Sequence, residues 1–233
     1  MKTKLLTAVA VACSTTAVPA FAQSVIELGA VTTVGASSAH DKVVTERIHK
    51  PTTYGMFVDH GNKMTAPSGV IYSFGADFNR GKVDGLKYSN IGIYGQVGYR
   101  VSVADNVSVD ALGGLGHSKF IFKTNIGDGI YKTPSVKAGI GANYFASQDT
   151  SLRAEAGYAY NFDGTLNDKS LNKNYDLKGA GNPYVELSIL NTSTGLPIFA
   201  SIYHTKSTYK FDYKESTAKD SQSITGLKIG LAF

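Results

Sequence analysis

The sequence has no tryptophan, one cysteine, six prolines and three methionines in 233 residues. The cysteine, Cys13, falls inside a stretch that reads as an export signal, so the chain left after its removal holds no thiol. A disulfide scaffold and a cysteine-based metal or redox centre are thereby excluded. No run approaches the roughly 18 apolar residues that a membrane-crossing helix needs. Charged residues are only 18% of the chain and the formal net charge is +5. Removing Lys2 and Lys4 with the signal lowers that to +3, too mild an excess to argue for nucleic acid.

The signal is built from Lys2 and Lys4 as a positive start, an apolar run over residues 5–12, and Ala20-Phe21-Ala22 as a small-x-small site before Gln23. It is too short to span a bilayer as a helix. A lipoprotein signal ending at Cys13 is the rival, disfavoured because Ala10 stands where a larger aliphatic is usual. The expected division is a signal peptide over residues 1–22 and one domain over residues 23–233, exported yet independent of disulfides.

What the chain has in quantity is 14 Tyr, 11 Phe and 25 Gly, residues that pleated strands and close strand packing use. The last nine residues set the pattern. Thr225, Leu227, Ile229, Leu231 and Phe233 alternate with Gly226, Lys228, Gly230 and Ala232. A fully apolar face at a period of two, closing on an aromatic, suits a strand whose outer face meets lipid. The same period predicts ten strands, over residues 24–36, 52–59, 70–79, 88–103, 107–122, 132–145, 152–162, 184–190, 198–211 and 225–233. Connections at 104–106, 146–150 and 191–196 are short. Those at 37–50, 163–181 and 212–222 are long and polar. Short turns facing the periplasm and long loops facing outward give an all-β, up-and-down antiparallel transmembrane barrel. Eight strands is the alternative if segments 52–59 and 184–190 do not pair.

Three pieces carry a family resemblance. They are Val97-Gly98-Tyr99-Arg100 leading into Asp105-Asn106-Val107-Ser108-Val109, then Gly139-Ile140-Gly141-Ala142-Asn143-Tyr144-Phe145, then Arg153-Ala154-Glu155-Ala156-Gly157-Tyr158. With Phe233 they resemble small outer-membrane barrels of the Ail/OmpX and opacity-protein type. That resemblance implies the barrel architecture. It does not carry over adhesion or serum resistance, whose loops do not match here. The type usually has eight strands, and this chain inserts a hairpin over residues 184–211.

The alternation assigns Glu27, Asp77, Arg100, Asp110, Lys137, Arg153, Glu155, Glu186, His204, Lys206 and Lys228 to the lumen. Both signs interleave there, and a ten-stranded barrel can be largely filled by its side chains. A lumen closed by a charge network is the expectation, with a narrow porin-like channel as the alternative. The one catalytic constellation is Glu186, Ser188 and His204, which a hydrolase could use if all three faced the lumen. Some outer-membrane lipid A deacylases resemble this idea, but with a His and a Ser two residues apart; residue 206 here is Lys. His40, His49, His60 and His117 lack metal-ligand spacing, and Gly113-Gly114-Leu115-Gly116 reads as strand packing, not a phosphate loop. No catalytic, cofactor-binding or metal site is therefore assigned.

The loop residues Lys42, Arg47, Lys50, Lys169, Lys173, Lys178, Lys214 and Lys219 are interleaved with acids and read as a solvated surface that could touch anionic lipopolysaccharide or host glycans. The function expected is a non-enzymatic integral outer-membrane protein of a Gram-negative cell, structural or adhesion-like, acting through its outer loops. Its expected partners are outer-membrane lipid, lipopolysaccharide, surface ligands and, through the strand ending at Phe233, the barrel assembly machinery. It is expected to be a monomer that binds no nucleic acid.

Overall fold

The computed structural model describes residues 30–44, 48–49, 52–83, 86–123, 128–168, 173–193, 195, 197–213 and 216–233. The signal peptide and Glu27 lie outside them. The described chain folds into strands β1 (Val31–Val44), β2 (Ile48–His49), β3 (Thr52–Gly61), β4 (Gly69–Val83), β5 (Leu86–Ala104), β6 (Val107–Lys123), β7 (Asp128–Phe145), β8 (Thr150–Asn161), β9 (Gly164–Asp168), β10 (Lys173–Lys178), β11 (Ala180–Asn191), β12 (Ile198–Tyr213) and β13 (Ser216–Ala232). All pairings are antiparallel.

Following the ladder gives ten staves. The order is β1, β3, β4, β5, β6, β7, β8, β11, β12 and β13, and β13 pairs back onto β1 to close the barrel. β9 continues β8 against β7, and β10 continues β11 against β12. Closure removes every sheet edge, which membrane strands require because lipid cannot satisfy a free N–H or C=O. Both segments in question pair fully: 52–59 lies in β3 and 184–190 in β11. Ten staves replace the eight-strand alternative.

The long connections are corrected by the structure. Residues 37–44 belong to β1, residues 163–181 contain β9 and β10, and β12 and β13 stay paired out to Tyr213 and Ser216. Those stretches read as loops because neither face meets lipid, so no apolar alternation marks them. Main-chain pairing continues all the same. A tilted strand crosses a bilayer core in about 9–11 residues, and β5 has 19. The staves therefore project well beyond the membrane at the hairpin end.

Side-chain alternation sorts the two faces. Outward stand apolar residues that are half or more exposed, among them Phe74, Ile93, Val97, Leu115, Ile140, Leu187 and Ile229. This band circles the barrel, far larger than the apolar patches water-soluble monomers tolerate. Inward the described residues are mostly polar, with Ile71 and Leu112 buried among them. Among the described residues the buried apolar cluster, Phe57, Met64, Leu190, Phe199 and Ala232, sits at the short-turn end.

β12 is turned the other way from its expected face. Ser201 is buried and Tyr203 points inward, whereas Ile202, His204 and Lys206 are on the exposed, outward side. Phe199 packs at 5.7 Å from Phe57 inside the barrel. Tyr203 occupies the space beside Gly226, where a Cβ would strike its ring. Interior aromatics, not lipid-facing ones, set this strand.

Candidate functional site

The site is the lumen, and it is assembled from strand parity. Arg100 on β5, Asp110 on β6, Asn143 on β7, and Arg153 and Glu155 on β8 point to the axis from neighbouring staves. Arg100 is fully buried and donates Nε and Nη2 to Asp110 Oδ2 at 2.9 and 2.7 Å. Arg153 grips the same carboxylate from the other side, Nη1 to Oδ2 at 2.7 Å and Nη2 to Oδ1 at 2.8 Å. It also donates to Glu155 Oε2 at 3.1 and 3.2 Å. Asn143 Oδ1 accepts from both guanidinium groups. Such paired, hydrogen-bonded charges are the form in which burial is tolerated. Gly141 makes room for the Arg153 guanidinium, which a Cβ there would strike.

A second component comes from a connection. The β3–β4 turn, residues 62–68, folds into the lumen at the short-turn end. Arg100 Nη1 and Nη2 donate to the carbonyls of Ala66 and Lys63 at 2.5 and 2.6 Å. Asn143 Nδ2 donates to the Lys63 and Met64 carbonyls at 3.4 and 3.1 Å. Within the turn, Asn62 bonds the main chain of Val70 and Tyr72, and Gly69 takes φ +87°, which favours glycine. Lys63 Nζ then reaches Glu155 Oε2 at 3.2 Å and Gln96 Oε1 at 3.5 Å. Lys63 lies outside the spanning strands. Burial pulls its ammonium down, but the carboxylates of Glu155, Glu186 and Asp59 more than reverse this and leave its pKa raised.

Beyond the turn the remaining groups line a cavity of about 180 Å³. Glu186 accepts from Ser201 at 2.6 Å and Ser188 at 3.3 Å. Asp59 accepts from Tyr94 at 2.7 Å and Ser73 at 3.2 Å. Lys137 stands 3.6 Å from Glu155 and over the Tyr184 ring. Lys228 lies 5.5–5.7 Å from the rings of Phe57, Tyr94 and Tyr203, within cation–π range. Among the described residues the lumen thus holds Lys63, Arg100, Lys137, Arg153 and Lys228 against Asp59, Asp77, Asp110, Glu155 and Glu186.

Most residues expected in the lumen are there, but His204 and Lys206 are not. His204 Nδ1 lies 2.8 Å from Thr225 Oγ1 on the outer face, separated by the barrel wall from inward Glu186 and Ser188. The hydrolase constellation is not assembled. His60 pairs with Thr32, and His40 with Thr52. The side chains of His49 and of the loop cations from Lys42 to Lys219 lie outside the described ones. Asp59 and Lys63 were missed. Asp59 was legible as the face opposite Met56 and Val58, whereas nothing local marks a turn that folds inward.

The deciding observation is that an outer membrane protein beta-barrel domain model matches residues 6–181. The chain belongs to that family. Its match ends before most of β11 and before β12 and β13, the staves that complete ten. The outer membrane protease OmpT of Escherichia coli superposes with a TM-score of 0.50 at 8% identity, covering 88% of this chain and 95% of that one. This likeness shows the fold. The NalP translocator domain of Neisseria meningitidis (TM-score 0.47, 11% identity, 91% and 93% covered) and Ail of Yersinia pestis (0.39, 10%, 87% and 98%) are also similar. No curated protein sequence matches the chain. The protein is an outer-membrane β-barrel, and residues 62–68 fold into its lumen from the end that short turns assign to the periplasm.

Proposed function

We propose that this is a non-conducting, non-enzymatic barrel that works at the cell surface through its projecting hairpins. The observation that carries the reading is the inward turn: residues 62–68 are held across the lumen by Arg100 and Asn143, above which charges of both signs fill the bore. Transport would require breaking buried charge-assisted bonds, each worth about 1.5–3 kcal/mol. The outer end, by contrast, offers long paired ribbons, β5–β6, β4–β5 and β12–β13, that stand clear of the membrane. Loops of rigid barrels are where binding residues gather. A surface-interaction role, structural or adhesion-like, follows.

Purified protein in planar bilayers should show no discrete conductance steps, and shortening the β12–β13 hairpin beyond Lys206 and Ser223 should abolish binding of protein-bearing cells to host-cell or glycan surfaces without altering heat-modifiable gel mobility. Steady single-channel current from the unmodified protein would refute the reading.

A further inference from the structure

The cavity beside the inward turn has two unlike sides. Its floor is apolar, made by Phe57, Met64, Leu190 and Phe199. Its walls carry charge that the protein leaves partly unmet. The Lys228 ammonium stands 5.5 Å from the Phe57 ring, next to that floor, and makes no ion pair among the described residues. Glu186 and Asp59 line the same cavity. Ser188 and Ser201 both donate to Glu186 Oε1, and Tyr94 and Ser73 both donate to Asp59 Oδ2. One oxygen of each carboxylate therefore remains an open acceptor. Lys228 and Glu186 are near neighbours, since Ser201 bonds Glu186 at 2.6 Å and is the direct partner of Lys228 across β12–β13. Opposite charges attract strongly in a narrow bore, yet these are held apart across the cavity.

Three constraints define what would fill that gap. The lumen already sets five cations against five anions among the described residues, and an added net charge would be buried without a partner. An occupant that brings one ammonium and one carboxylate avoids this and meets both Lys228 and the open acceptors. The apolar floor calls for an apolar body at the other end of the molecule. A cavity of about 150 Å³ takes up benzene, so the 180 Å³ present here admits roughly nine heavy atoms.

We propose that this cavity binds a small apolar α-amino acid, of about the size of leucine, as its zwitterion. The carboxylate accepts from Lys228 Nζ, and the ammonium donates to Glu186 Oε2 and Asp59 Oδ1. The side chain lies against Phe57, Met64, Leu190 and Phe199. The inference goes beyond the surface role and is independent of whether the lumen conducts.

Isothermal titration calorimetry on full-length protein refolded in detergent tests it. The probes are leucine, glycine, isocaproate (leucine without its ammonium) and isoamylamine (leucine without its carboxylate). Leucine should bind saturably with a Kd of about 1 mM or below, and the other three at least about tenfold more weakly. Two variants should then change the order. Lys228→Gln leaves the lumen one negative charge in excess, so it should weaken leucine at least about tenfold and bring isoamylamine ahead of it. Glu186→Gln does the reverse and should bring isocaproate ahead. Lys119→Gln, on the outer face, should alter no affinity. Absence of saturable leucine binding up to about 10 mM would overturn the proposal. So would equal affinity for leucine and its two analogues, or a uniform loss across all probes in the lumen variants. Heat-modifiable gel mobility confirms that each variant is folded; if Lys228→Gln is not, Glu186→Gln is read alone against the same outcomes.

Discussion

Arg100→Ala is the most informative single change, because one side chain joins the strand network to the closing turn. Its guanidinium donates to the main-chain carbonyls of Lys63 and Ala66 and to Asp110. A bond from a charged donor contributes about 1.5–3 kcal/mol, so losing the two to the turn weakens closure by about 3–6 kcal/mol, or roughly 10²- to 10⁴-fold in the closed-to-open ratio. Asp110 is not orphaned, since Arg153 still grips both its oxygens. The global loss should therefore fall below the ~3–5 kcal/mol typical of breaking a buried pair. The turn should open far more readily than the barrel unfolds.

Planar-bilayer recording checks this. The unmodified protein should be silent, Arg100→Ala should show brief openings, and Arg100→Ala/Asn143→Ala longer ones, because Asn143 makes the remaining bonds to the Lys63 and Met64 carbonyls. Arg100→Lys keeps the charge without the fork and should fall between. Heat-modifiable gel mobility confirms that each barrel is folded. A folded double variant as silent as the unmodified protein would refute the argument and place closure in the Arg153–Asp110–Glu155 layer instead.

Other outcomes follow from the same geometry. Gly141→Ala should lower the unfolding temperature, since the new Cβ meets the Arg153 guanidinium and overpacking costs about 1–3 kcal/mol; Gly95→Ala, which meets nothing, is the control. Lys63 has a raised folded pKa, so its stabilisation is complete below the unfolded value of about 10.4 and is lost as pH rises through the folded one. Lys63→Met should remove that part of the alkaline decline in melting temperature; identical decline in both proteins would contradict the assignment. Lys228→Met should cost about 1–2 kcal/mol through lost cation–π contact, whereas outward His204→Ala should shift stability by no more than about 0.5 kcal/mol and leave conductance untouched.

Period-two alternation made the staves legible, because each lipid-crossing segment must carry one apolar face. It failed where both faces of a strand are apolar. On β12, Ile198, Ala200 and Ile202 compete with Phe199 and Tyr203, and a preference for aromatics at the lipid chose the wrong side. The usable signal lay on the next strand. Gly226 leaves a gap that an inward Tyr203 fills, and the two are direct partners. The alternation failed differently above the membrane, where water on both faces removes the pattern although the ladder persists. The charge network was legible residue by residue, but the turn that crosses it was not. Its placement depends on Arg100 and Asn143, about 40 and 80 residues from Lys63 in sequence, and long-range contacts of that kind leave no periodic trace.

The placement of charge links these parts. Inside, five cations meet five anions among the described residues, which a narrow bore of low dielectric demands. The net +3 that remains without Lys2 and Lys4 must then be expressed outside the lumen. Water above the membrane would accept it anywhere on the hairpins. The described outer face instead gathers Arg80, Lys82, Lys87, Lys119, Lys132 and Lys206 where the apolar band stops, and sets four of them in repelling pairs. Among the described residues the apolar band thus ends against a cationic rim, beyond which the paired hairpins continue.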